Sequence, residues 1–112
     1  MPKTTPVYVG AVRVPTRQTL QRYGLTAPEW RAILDRQGGT CVCGNVPKSG
    51  TLHIDHEHRR GYKDLPPEER KGYVRGLLCW FCNSVLLRRG ATPERLRAAA
   101  NYLERYERAK TI

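Results

Sequence analysis

Acidic side chains are scarce in this sequence. Ten Asp and Glu stand against twenty Lys and Arg over 112 residues, a formal net charge of +10, and the basic residues are spread along the chain instead of gathered in one tail. Such a field attracts polyanions, which makes nucleic acid the leading partner. Long apolar runs are missing too: nothing approaches the roughly 20 residues of a membrane span, so no membrane partner is expected. The opening "MPKTTPVYVGAVRVPT" carries prolines where a secretory signal needs an apolar core. Internal repeats and low-complexity segments are absent. The expectation is one domain in a reducing, cytoplasmic compartment.

Cysteine is sparse but paired: Cys41 with Cys43, and Cys79 with Cys82. In a reducing compartment, paired cysteines hold a metal more often than a disulfide. Cys79-Trp-Phe-Cys82 has the spacing that lets two thiolates from one tight turn reach the same tetrahedral ion. Cys41-Val-Cys43 is one residue shorter than the usual knuckle, so either its turn differs or His53, the nearest substitute, supplies a ligand. A small domain gains much from such a staple. A four-thiolate zinc site is closed and therefore structural; catalysis needs a second, differently built metal site.

The remaining pattern places these motifs. Residues 1–14 lack periodicity and read as an arm of unknown order; 15–112 read as a single domain. A short basic helix is expected over 16–24, ending at Gly24. A second helix follows from Thr26, capped in a box with Glu29 and stopped by Gly38 and Gly39, with Trp30, Ile33, Leu34 and Gln37 on one face. "TLHID" alternates as a strand, "RRGYKDLPPEERKG" reads as a long polar loop, and "YVRGLL" as a second strand. "CWFCNSVLLRRG" begins a helix expected to stop at Gly90. A last helix runs from Thr92, with the stripe Leu96, Ala99, Leu103 and Tyr106 facing the core or forming a dimer seam.

"LHIDHEH" carries the chemistry. Asp55 offers a hard oxygen ligand suited to Mg²⁺ or Mn²⁺, and His56, with an ordinary pKa of about 6.5, can act as a base at neutral pH. Neighbours in a regular strand point to opposite faces, so the two converge on one phosphate only if the strand ends or bulges there. Asn83, directly after Cys82, can bring an amide oxygen to the same metal. Read blandly, these histidines are surface residues of a charged loop or extra zinc ligands.

"LHIDHEH" followed by "VRGLLCWFCNSVL" resembles the recombination endonuclease VII family of phage junction-cleaving nucleases, part of the HNH or His-Me finger group, over about Tyr23 to Tyr106. The resemblance implies an α+β, ββα-metal fold flanked by N- and C-terminal helices. In it Asp55 and Asn83 bind the catalytic cation, His56 is the general base, and the four cysteines hold zinc. It also implies a phage- or mobile-element-encoded protein acting in the host cytoplasm, with products bearing a 5′-phosphate and a 3′-hydroxyl. The chain departs from the family in its C-x-C pair, in Glu57 where a second Asp is usual, and in a longer loop between His58 and Tyr73.

The function expected is therefore metal-dependent hydrolysis of DNA phosphodiesters. His58 and Arg75 are candidates for secondary phosphate contacts, and Arg59, Arg60, Lys63, Arg70, Lys71, Arg88 and Arg89 for backbone neutralisation. The competing reading is a zinc-ribbon nucleic-acid-binding module without catalysis. A third has the C-terminal helix as an assembly surface, as in a homodimer, and can coexist with the first.

Overall fold

The computed structural model describes residues 5–110 as a small mixed protein of several helices and two two-stranded sheets. The chain opens with an antiparallel hairpin of β1 (Tyr8–Val9) and β2 (Val12–Arg13). Strands of two residues are too short to show alternation, which is why this stretch has no period in the sequence. Val12 is nonetheless fully buried in the core, and the Arg13 N–H donates to the Gly50 carbonyl at 2.8 Å. Of the N-terminal arm, residues 1–4 lie outside the described residues.

Helix α1 (Arg17–Arg22) starts where Thr16 Oγ1 accepts from the Thr19 N–H, and α2 (Ala27–Arg36) starts on the expected box: Thr26 Oγ1 accepts from the Glu29 N–H and Glu29 returns the bond to the Thr26 N–H. Each such cap satisfies amides that the first helical turn leaves without partners. The turn between them needs Gly24, at φ +70°, because a Cβ there would lie 1.8 Å from the Pro67 carbonyl oxygen. Trp30, Ile33 and Leu34 turn the inner face of α2 into the core; full burial of each contributes about 1.5–3 kcal/mol.

Strand β3 (His53–His56) pairs antiparallel with β4 (Val74–Leu78). Leu52, Ile54, Leu77 and Leu78 bury against α2 in one cluster that also takes in three of the cysteines. The stretch between the strands, expected as loop, is more ordered than that: α3 (Pro67–Arg70) lies between short 3₁₀ turns at Tyr62–Asp64 and Lys71–Tyr73. Arg70 pins it by donating to the carbonyls of Arg22 at 3.0 Å and Lys63 at 2.7 Å. A loop with its backbone groups so paired is structure in its own right.

Two helical expectations need correction. The helix after Cys79 ends near Leu87 instead of Gly90, and it is wide: over Cys82–Leu86 the turns are π-helical, with the Leu87 N–H reaching the Cys82 carbonyl at 2.9 Å. Such widenings favour functional sites. Helix α4 (Pro93–Lys110) forms as expected, but none of its residues is buried, so Leu103 and Tyr106 face solvent and not the core. An 18-residue helix is about 27 Å long. The Cα radius of gyration of 16.9 Å exceeds the roughly 13 Å of a compact chain this size, as a projecting helix requires. No described helix is long and apolar enough to cross a membrane.

Candidate functional site

The four cysteine sulfurs converge. Cys41, Cys43, Cys79 and Cys82 present Sγ atoms that all lie within 4.8 Å of one another, with Cys43 and Cys79 3.9 Å apart. Tetrahedral zinc with Zn–S bonds of about 2.3 Å sets sulfurs about 3.8 Å apart, so the quartet can hold a metal such as zinc. The short C-x-C pair therefore supplies both its sulfurs. A tight turn makes this work: the Gly44 N–H donates to the Cys41 carbonyl at 2.8 Å and the Cys41 N–H to the Asn45 carbonyl at 2.9 Å. His53, the expected substitute, is absent from the cluster.

Three of the sulfurs are buried and Cys43 is exposed. The Cys82 backbone N–H donates to Cys79 Sγ at 3.5 Å and pulls that thiol down to about 7, while burial pushes the Cys41 and Cys82 thiols up. Metal binding needs thiolates, and a backbone amide aimed at one sulfur favours that form.

The hairpin carries the second constellation. Opposite Asp55 stands Gly76, but opposite His56 stands Val74, so Arg75 is an extra residue and β4 bulges there. The bulge lies on the partner strand, so β3 itself stays regular up to its end at His56, and Asp55 and His56 open onto neighbouring depressions instead of converging on one. The bulge also brings Arg75 onto Asp55: Nε donates to Oδ2 at 2.8 Å and a terminal N–H₂ to Oδ1 at 3.1 Å. Asp55 is the buried member of this bidentate pair and Arg75 is half exposed. The secondary phosphate contact expected of Arg75 is thus engaged with the carboxylate.

Asp55 and Asn83 line one cleft together with His58, Arg88 and Arg89. His56 does not line it. Its ring lies in the adjacent depression with Arg59, Arg60 and Lys63, and His58 and Arg89 form the wall common to both. His56 stacks on Tyr62 at 4.2 Å between ring centroids, with His58 at 4.8 Å and Tyr23 at 5.8 Å. Burial, and then the charge of His58, hold its pKa below the ordinary 6.5, so the imidazole is neutral and proton-accepting at pH 7. The chemistry available is a carboxylate and an amide oxygen on one cleft, a neutral base beside it, and guanidinium groups around both.

The basic residues divide. Arg88 and Arg89 edge the cleft and Arg60 and Lys63 the neighbouring depression. Arg59 donates to the Tyr73 hydroxyl and lies over its ring. Arg70 is tied to backbone carbonyls, and Lys71 pairs with Glu29 at 2.5 Å, holding that carboxyl down at about 2 together with the Thr26 amide. These last two brace the fold instead of facing a cleft.

Sequence reasoning left two positioning residues unassigned. Gln37 behaves as a strand substitute: its Oε1 accepts from the Leu77 N–H at 2.8 Å while its Nε2 donates to the carbonyls of Leu77 at 2.8 Å and Thr40 at 2.9 Å. The clamp reaches β4 only because residue 76 is glycine, where a Cβ would meet Gln37 Oε1 at 2.7 Å. Tyr62 is the other, and its only signal was an aromatic ring inside a polar stretch.

The chain is 40% identical over 70 residues to the Gene 59 protein of Mycobacterium phage D29, and 37% identical over 70 residues to the Gene 59 protein of Mycobacterium phage L5, in each case over 61% of this chain and 36% of the relative. It thus spans little more than a third of the length of these curated relatives. No solved structure matches it. The family model for recombination endonuclease VII matches residues 16–105, and the chain belongs to that family.

Proposed function

We propose that this chain is a metal-dependent DNA endonuclease of the ββα-metal, His-Me finger kind. The β3–β4 hairpin and the wide helical turn after Cys79 form the catalytic unit, and zinc on the cysteine quartet ties the two together. The observation that carries the reading is the shared cleft of Asp55 and Asn83, rimmed by Arg88 and Arg89, with the neutral imidazole of His56 in the adjacent depression. Asp55 and Asn83 are hard oxygen donors that would hold Mg²⁺ or Mn²⁺. Such a cation, when bound, supplies charge neutralisation at the scissile phosphate.

The chain's own residues do the rest. His56 accepts a proton from water, which attacks phosphorus in line and leaves a 5′-phosphate and a 3′-hydroxyl. Tyr62 and Tyr23 keep the ring dehydrated and oriented. His58, Arg88 and Arg89 hold phosphate oxygens, and Arg59 and Arg60 meet the backbone further on. The expected setting is a phage-encoded protein in its host's cytoplasm, with nicks in plasmid or branched DNA. Opposed strands of a junction need two such sites, and the solvent-facing Leu103 and Tyr106 of α4 would form the homodimer seam; sedimentation as a monomer at every concentration removes that part.

One observation favours a second reading, a zinc-ribbon module that binds DNA without cutting it: both oxygens of Asp55 are already taken by Arg75. One assay separates the two. With Mg²⁺ or Mn²⁺, the purified chain nicks supercoiled plasmid or a four-way junction, and His56→Ala lowers the rate by about 10²–10⁴-fold with zinc content and melting retained. Retarded but intact DNA with every divalent cation selects the binding module. A larger loss in His58→Ala than in His56→Ala moves the base to His58.

A further inference from the structure

Asn83 borders a second groove, on the side away from Arg88 and Arg89. Its walls are the N-terminal hairpin and α1 on one side and β3 on the other, and it presents Arg13, Arg22, Thr16, Thr19 and His53. No carboxylate lines it. The guanidinium groups of Arg13 and Arg22 make no ion pair among the described residues, whereas Arg31, Lys71 and Arg75 are each neutralised by an acidic partner. The floor is apolar, with Pro15, Leu52 and Ile54 beside the ring of Tyr23. Cations and hydroxyls along an edge over an apolar and aromatic floor match a single nucleic-acid strand, whose phosphates want the former and whose sugars and bases the latter.

We propose that this groove holds the DNA strand flanking the scissile phosphate, with Arg13 and Arg22 as its phosphate contacts and His53 as a donor next to Asn83. The proposal deepens the endonuclease reading and rests on it for the position of the scissile bond. It also accounts for two features left over from the sequence: His53, which the zinc cluster does not use, and the hairpin of residues 8–13, which is packed into the fold to form a wall. The strand passes from the Arg88–Arg89 cleft, across Asn83, into the groove.

The test reads binding without cleavage. Fluorescein-labelled single-stranded DNA and a four-way junction are titrated with the 112-residue chain by fluorescence anisotropy, with no divalent cation added, over a range of salt. Counterion release at 0.15 M salt makes each phosphate contact worth about fourfold on a single strand and about 5.5-fold on duplex, so the combined Arg13→Gln, Arg22→Gln variant binds the single strand about 15-fold and the junction about 30-fold more weakly. Its plot of log affinity against log salt flattens by about 1.4–1.8, depending on strandedness. Arg31→Gln, outside the groove, is the control and leaves both quantities unchanged. An equal loss in the control, or no loss in the double variant, overturns the proposal. Should the double variant misfold, phenylglyoxal on the unaltered chain decides: bound DNA protects Arg13 and Arg22, and undiminished modification overturns the assignment. Failure of plasmid nicking with DNA affinity and salt slope as described removes the catalytic reading and leaves the groove standing.

Discussion

Two groups of candidate metal ligands are carried by the β3–β4 hairpin and the turns around it, and they are built differently. The cysteine quartet is closed: its sulfurs lie within 4.8 Å of one another, mostly buried, with backbone amides bracing the turns. The Asp55 cleft is open, and its carboxylate is satisfied by a guanidinium from the same hairpin. The first arrangement has no use except as a soft-metal cage. The second pairs a mostly buried carboxylate with a half-exposed guanidinium, so a cation reaching Asp55 has to replace both hydrogen bonds of Arg75. A buried, converged donor set suits a structural role; on the endonuclease reading proposed above, an open one with an internal counter-ion suits turnover.

The harshest way to test that contrast is to damage the closed cluster. Cys82→Ser removes one sulfur from a cage in which bound zinc would supply about 10 kcal/mol or more, as much as the whole stability of a typical domain at about 5–15 kcal/mol. The expected outcome is loss of bound zinc and of a cooperative thermal transition together, read by metal analysis and circular dichroism. Stoichiometric zinc and an unchanged melt would remove the staple, and with it the distinction between the clusters.

The two clusters also differ in how far the sequence foretells them. Cysteine spacing is local, and local spacing survives into structure, as does the Thr26–Glu29 capping box. The dipeptide Asp55–His56 is equally local, and its need for a strand end or a bulge follows from strand geometry alone. What the bulge does is not local: it turns Arg75 onto Asp55, and no pattern of alternation shows which residue will be extra. Gln37 is hidden for a like reason, since it bonds a strand 40 residues further on. Tyr62 sits in a stretch whose prolines and charges read as loop, although Arg70 folds it back over His56. For α4 the apolar stripe was legible but its cover was not; amphipathicity says that a face wants a partner and says nothing of which one.

A milder perturbation addresses the open cluster. Arg75→Ala leaves a mostly buried carboxylate without its donors, a loss of about 1–3 kcal/mol. If Arg75 stands in for a cation, millimolar Mg²⁺ raises the melting temperature of the variant more than that of the unaltered chain. Equal shifts in both show that guanidinium and cation do not compete for Asp55, and the carboxylate then belongs with the closed cluster as a structural group.

The smallest effect sharpens the comparison at His56, where burial tunes the proposed base instead of a ligand. Tyr62 covers the ring, and that burial is the first cause of its lowered pKa, ahead of the charge of His58. A group whose folded pKa lies below its unfolded 6.5 gives full stability above that value and loses it as pH falls through the folded one. The acid limb of kcat/KM for nicking therefore lies below pH 6.5. Tyr62→Ala lets water reach the imidazole, so the limb moves up towards 6.5 and the acid loss of stability shrinks as the folded pKa approaches the unfolded one. At pH 7 an imidazole at 6.5 is still about three-quarters neutral, so the rate there falls by about a quarter at most from this cause. A limb that stays in place, or moves down, would show that Tyr62 positions the ring without setting its proton affinity.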